Sequence, residues 1–305
     1  MQSEIIKCEQ KAIRVGIVGN AVMAISGWVA FNLSGSQALL LDGNMSFILF
    51  LTSIAALKIS AIKNHRSDQF PFGLFVTEAL YAFMKGLLLL GIIIAALTTN
   101  GSKILQFYSG ELISPIKTGV IVYYAIAMVV ICWGLSFYYH LQNRKIQMSS
   151  GLLKVDQKSS FIDGVLSAST GAILIVIGYV PQGSSFDFLL YIGDALLVIV
   201  LAVLMMGQPV RIIKQAFIEL VGGKLQDQEQ YLLIKKLIDK HFAEQDISIS
   251  AFTVSKTGSS YLVVLAITQT MIAAQQPGEL QLRKQAMKAE LLDHFSFVDL
   301  EIVVD

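Results

Sequence analysis

Six long apolar runs alternate with short polar clusters along the first two thirds of the chain, at about 13–34, 37–60, 76–98, 118–141, 155–179 and 188–207. A bilayer core about 30 Å thick needs roughly 20 helical residues to cross it. Backbone amides and carbonyls cannot stay unpaired in hydrocarbon, so each run is predicted to be a transmembrane helix. After Pro209 the pattern changes. Residues 228–243 repeat apolar positions at helical spacing. Two alternating runs follow, 249–255 and 260–268, joined by Lys256-Thr257-Gly258-Ser259, a hairpin signal. A helix over 279–294 and a strand from Phe297 to Val304 complete an α-β-β-α-β order. The expected fold is therefore α-helical membrane protein over residues 1–209, with six transmembrane helices. A small cytoplasmic α+β domain, ferredoxin-like in layout, follows over 210–305, after a short connector near Gly222-Gly223.

Charge sharpens this division. Of the 45 charged residues, 22 lie in the last 96 positions, and the rest sit mostly between the apolar runs. Charged residues make up 15% of the chain, against about 25% in soluble domains, which excludes a disordered chain, a basic nucleic-acid-binding protein and an ordinary soluble enzyme. Lys7, Lys11 and Arg14, then Lys58, Lys63 and Arg66, then Arg144, Lys145, Lys154 and Lys158, then Arg211 and Lys214 fall on one side. Lys103 and Lys117, in the expected loop 99–117, are the cations of the other side. The positive-inside bias predicts cytoplasmic N- and C-termini, in a plasma or inner membrane of bacterial type. Met1 to Lys11 is polar and shows no signal-peptide pattern. Cys8 and Cys132 are too few for a disulfide framework or a thiolate zinc cluster, and Cys132 reads as a buried apolar residue.

An ionisable residue inside a transmembrane helix costs about 2.5–3.5 kcal/mol on insertion scales and calls for a reason. Asp42 lies in the second run and Asp163 in the fifth, each opening an Asp-Gly-x-x-Ser pattern that ends at Ser46 and Ser167. Residues four apart share a helix face, so Asp42 and Ser46 point together; Asp156, Ser159 and Asp163 form a stripe on the fifth helix. Two helices turning carboxylates inward offer hard oxygen ligands to a divalent cation. The structural alternative is an internal ion pair of Lys85, on the third helix, with Asp42 or Asp163. Glu78 and Asp156 lie near headgroup level, and Asp194 near the outer end of the sixth helix. Glycine after each aspartate permits close helix approach.

Six spans followed by an α-β-β-α-β domain resemble the cation diffusion facilitator family of divalent-metal transporters. The most specific parts are Ser36-Gln37-Ala38-Leu39-Leu40-Leu41-Asp42-Gly43 and the start of the third helix, Phe70-Pro71-Phe72-Gly73 through Glu78. The latter is similar to the family's His-Pro-Tyr-Gly-His-Gly-(Arg/Lys)-Ala-Glu stretch and keeps Pro71, Gly73 and Glu78. The stretch from Pro209 through Glu219-Leu220-Val221 to Asp227-Gln228-Glu229 is also similar. The resemblance implies a four-ligand transport site whose positions fall on Met45, Leu49, Ser159 and Asp163, of which Asp163 alone is a matching ligand. It also implies proton-driven metal efflux by a homodimer.

A modified, oxygen-rich site is then expected between helices 2 and 5, from Asp42, Ser46, Ser159 and Asp163, with Ser167 and waters available. Asp42 stands about 4.5 Å further out along the same stripe than Met45, which would lie level with Asp163. Oxygen ligands favour Mn, Fe(II), Co or Mg over Zn, though Zn remains within the expected set; Met45 would add a thioether. Lys85, Glu78 and Asp156 are candidates for proton coupling or gating. The alternative is a non-transporting family member, a membrane scaffold or regulatory dimer partner, with Lys85 occupying the cation's place. The expected partners are divalent cations, protons, the lipid bilayer and a second copy of the chain, with no nucleic acid. No cofactor is expected, nor an enzyme, since no nucleophile–base set or phosphate-binding glycine loop is present. His241 and His294 read as surface residues.

Overall fold

The computed structural model describes residues 2–63, 65–70, 73–111, 113, 115, 119–145, 151–181, 183–242, 249–267, 277–295 and 297–304. Pro71 and Phe72 of the third-helix motif, Lys117, Ala243 and Thr268 lie outside the described residues. Six long helices come first: α1 (Gln2–Ser34), α2 (Gln37–Ile62), α3 (Val76–Tyr108), α4 (Gly119–Lys145), α5 (Gly151–Gly178) and α6 (Phe188–Leu220). All six are long and apolar enough to cross a membrane. After them come α7 (Gln228–Phe242), β1 (Ile249–Thr257), β2 (Ser260–Ile267), α8 (Pro277–His294) and β3 (Val298–Val304). The chain forms two compact units, one of residues 1–58 and 85–210, the other of 59–84 and 211–305.

In the first unit α4 packs against α1 and α5. Its core gathers Met23, Leu39, Ile121, Met128, Leu174 and Val198, while Val176, Tyr123 and Leu204 point outward, as a lipid-facing surface requires. At Gly27 of α1 and Gly43 of α2 the backbones touch: a Cβ on Gly27 would lie 2.5 Å from the Gly43 Cα. The first turn of α2 is capped from α6. Asp194, fully buried, accepts hydrogen bonds from the Ser36 hydroxyl (2.8 Å) and from the backbone N–H groups of Gln37 (2.5 Å) and Ala38 (3.2 Å). A helix N-terminus presents unpaired N–H groups and positive charge, and a carboxylate satisfies both. Asp194 is thus a structural cap. Asp194→Ala should cost on the order of 2–4 kcal/mol, since it strands donors that water cannot reach. A clear fall in melting temperature in detergent would show it; an unchanged melt would remove the cap from the description.

Two helices run further than the apolar pattern predicts. α3 continues to Tyr108, through ten residues expected to be loop. The polar side chains there bond back to the preceding turn, Thr98 Oγ1 to the Ile94 carbonyl (3.1 Å) and Asn100 Nδ2 to that of Ala96 (2.8 Å), so the helix stays closed. It stops at Gly110, whose φ of +80° suits a left-handed cap. α6 runs through Pro209 to Leu220, the missing proline N–H forfeiting one intrahelical bond.

In the second unit the sheet order is β1-β2-β3, with β1/β2 antiparallel and β2/β3 parallel. β2 alternates strictly: Tyr261, Val263, Leu265 and Ile267 are buried, facing Ile234 and Ile238 of α7 and Met287 and Leu291 of α8. The hairpin turns on Gly258, at φ +59°. Its tip is held by the ends of the long helices. Glu78 pairs with Lys63 (2.8 Å) and accepts hydrogen bonds from the Ser259 amide (2.6 Å) and hydroxyl (2.7 Å), while Glu219 accepts from the Gly258 amide (3.1 Å).

His241 is not a free surface residue. Its Nε2 lies 2.5 Å from Glu290 on α8, which also pairs with Lys240 at 2.8 Å. Hydrogen bonds from Lys240 and then His241 hold the Glu290 carboxyl below its ordinary value of 4.5. A depressed carboxyl lends stability that is present above the unfolded value and is lost as pH falls through the folded one. Melting of the wild-type second unit should therefore drop below about pH 4.5 more than that of Glu290→Gln, by a small margin because the pair is partly exposed. Parallel pH profiles would contradict this.

Candidate functional site

All six helices of the first unit contribute to one cavity of about 140 Å³. That is several times the space one water needs. Helix α2 presents Asp42, Met45, Ser46 and Leu49 to it, and α5 presents Ser159, Asp163, Ser167 and Thr170. The cavity thus brings together all four residues expected as ligands, Asp42, Ser46, Ser159 and Asp163. The positions matched to the family's four-ligand pattern, Met45, Leu49, Ser159 and Asp163, line it as well.

The local chain explains the aim of the two aspartates. Successive helix residues point about 100° apart, so Asp and the following Gly face different neighbours. Asp42 faces the cavity while Gly43 lies against α1. Asp163 faces the cavity while Gly164 lies against α4, where an added Cβ would meet the Trp133 ring at 2.4 Å. One turn on, Ser46 and Ser167 return to the cavity wall. The repeated Asp-Gly-x-x-Ser is therefore a packing device and a lining device at once.

Asp42 has a partner that sequence reasoning missed. The Tyr124 hydroxyl of α4, largely buried, donates to Asp42 Oδ2 at 2.6 Å. The signal was present: a buried tyrosine in an apolar helix carries a hydroxyl that must find an acceptor. Its bond fixes one carboxylate oxygen of Asp42. Asp42 and Asp163 line the same cavity. Two negative groups facing a cavity of low polarizability repel each other and attract any cation placed between them.

Lys85 does not supply that cation. Among the described residues no ion pair joins it to Asp42 or Asp163. Lys85, Asp156 and Glu78 are not among the residues lining the cavity. Glu78 belongs to the second unit, bonded to Lys63 and Ser259. Among the described residues no group of three or more His, Cys, Asp or Glu side chains is placed to hold a metal ion. Any cation in the cavity must therefore take further ligands from hydroxyls, sulfurs or water.

Comparison with known proteins bears on what the cavity serves. No curated protein matches the sequence significantly. The family model described as the cation efflux transmembrane domain matches residues 13–221, which include two thirds of α1, the whole of α2 to α6 and every residue of the cavity wall. That match covers more than half of the chain, and the protein belongs to the cation efflux family of multi-pass membrane transporters of metal cations.

Proposed function

We propose that the protein exports divalent metal cations in exchange for protons, through a site at the cavity between α2 and α5. Asp42 and Asp163 supply the charge; the hydroxyls of Ser46 and Ser159 and one or two waters complete the coordination. The observation that carries this reading is the convergence of two carboxylates on one cavity without a lysine between them. A purely structural pair of aspartates would be neutralised by a neighbouring cation, as Glu78 is by Lys63. Carboxylates must shed their protons to bind metal, so cation and proton compete for the same oxygens. Exposure of that region to each side in turn, by rocking of helices about the site, converts the competition into exchange.

The basic residues near the N-terminus, around the second and fourth loops and after the sixth span favour cytoplasmic N- and C-termini. A homodimer is favoured by the sheet face opposite α7 and α8, which carries Leu262 and Val303, both nearly half exposed. Lys85 of α3 and Asp156 of α5, ionisable groups on two of the long helices, suit a gating or proton-relay role.

Purified protein in liposomes tests the reading. A pH gradient should drive accumulation of at least one of Mn, Fe(II), Co, Ni, Zn and Cd, and dissipating the gradient should stop it. Absence of flux for every ion, from protein that remains folded and dimeric, would favour the non-transporting scaffold.

A further inference from the structure

The cavity wall holds more sulfur than an oxygen-based site needs. Met23 of α1, Met45 of α2, Met128 of α4 and Met205 of α6 all line it, together with Cys132 of α4. These are four of the chain's ten methionines, brought from four different helices to the one cavity that carries two carboxylates. The sulfurs also meet each other: the Cys132 thiol lies 3.6 Å from the Met23 thioether. Cys132 lines the same cavity as Asp42 and Asp163. Met45 follows Asp42 by three residues, so the thioether shares a helix face with that carboxylate.

Thioether and thiol sulfurs are soft, polarizable donors. They add little to the binding of hard cations such as Mg or Mn and a good deal to that of soft ones such as Cu(I), Ag(I) and Cd(II). A neutral thioether also leaves the charge balance of the two carboxylates untouched. It shifts preference between cations without making release harder for all of them.

We infer that the cavity selects soft, thiophilic cations over hard ones, with the Met45 thioether and the Cys132 thiol as sulfur donors beside Asp42 and Asp163. The inference rests on the transport reading above and deepens it by naming the class of cargo.

Two measurements test it. In liposomes with an imposed pH gradient, Cd(II) flux should exceed Mn(II) flux about tenfold or more, and Met45→Leu with Cys132→Ser should lower the Cd/Mn flux ratio by about 10–100-fold, the range typical of lost metal-site partners. Leucine conserves methionine's volume, which limits the packing cost. Independently of any variant, X-ray absorption of the wild-type protein loaded with Cd(II) should show sulfur bound to cadmium. Mn(II) flux equal to Cd(II) flux, or an all-oxygen cadmium environment, would overturn the inference while leaving transport intact. No flux of either ion would overturn both.

Discussion

Asp163→Asn is expected to abolish cation flux, with a loss of more than about 100-fold. Removal of groups that merely support a metal ligand already costs 10–100-fold, and here a ligand charge itself disappears. Asparagine keeps the size and one carbonyl oxygen, so the helix and the packing of Gly164 against Trp133 remain in place. Asp42→Asn should be nearly as damaging. It removes one of the two carboxylate charges of the cavity, while its amide oxygen can still accept the Tyr124 hydroxyl. Because the two aspartates act on one ion, the double variant should lose little beyond either single one. Additive losses, or a variant of Asp163 with wild-type flux, would separate the two residues from a common task.

The second large effect is expected in packing. Gly27→Val places a branched side chain where its Cβ would meet the Gly43 Cα at 2.5 Å, with the Leu39 carbonyl at 3.0 Å. Both obstacles are backbone, so no rotamer change relieves them, and α1 and α2 must move apart. Overpacking of this kind costs typically 1–3 kcal/mol and here should reach or pass the upper end of about 3 kcal/mol. The displaced helix is the one that carries Asp42, so flux should fall together with the melting temperature. Gly91→Ala is the control, since a Cβ there meets nothing within 4 Å and should leave both quantities unchanged. If Gly27→Val were as silent as Gly91→Ala, the close approach of α1 and α2 would not be a determinant of the fold.

Much of this architecture is legible in the residues alone. Apolar runs of about 20 residues have a single solution in a bilayer, and the alternation around Gly258 has a single solution in a small sheet. The third span failed at its end for a local reason: Asn100 looks like a loop residue until its side chain turns back onto the Ala96 carbonyl. The aspartates of the site stood out because ionised groups are rare in hydrocarbon. Tyr124 and the sulfurs of the cavity did not, since in one dimension a tyrosine or methionine in an apolar helix looks like packing. Their meaning comes from convergence, which periodicity within one helix cannot reveal. Lys85 shows the same limit from the other side. Charge alone made Asp42 and Asp163 candidates for its partner, and among the described residues no ion pair joins it to either.

The dual use of the Asp-Gly pairs explains why the site is built from two helices that each carry the same short pattern. A glycine that lets a neighbouring helix close in also holds the preceding carboxylate away from lipid and toward the cavity. Tyr124 and the serines then supply hydrogen-bonding groups where bulk water is scarce. In the second unit the ion pairs Lys63–Glu78, Lys284–Glu301 and Lys288–Asp299 join helix ends and strands, and Lys240 and His241 tie α7 to Glu290 of α8.

Anomalous diffraction from crystals of the protein soaked in Cd(II) or Mn(II) tests the shared site most directly. A single peak in the membrane cavity, within about 2.6 Å of a carboxylate oxygen of both Asp42 and Asp163, is the predicted result. A metal bound to one aspartate alone, or a cavity that stays empty while metal binds elsewhere on the protein, would contradict it.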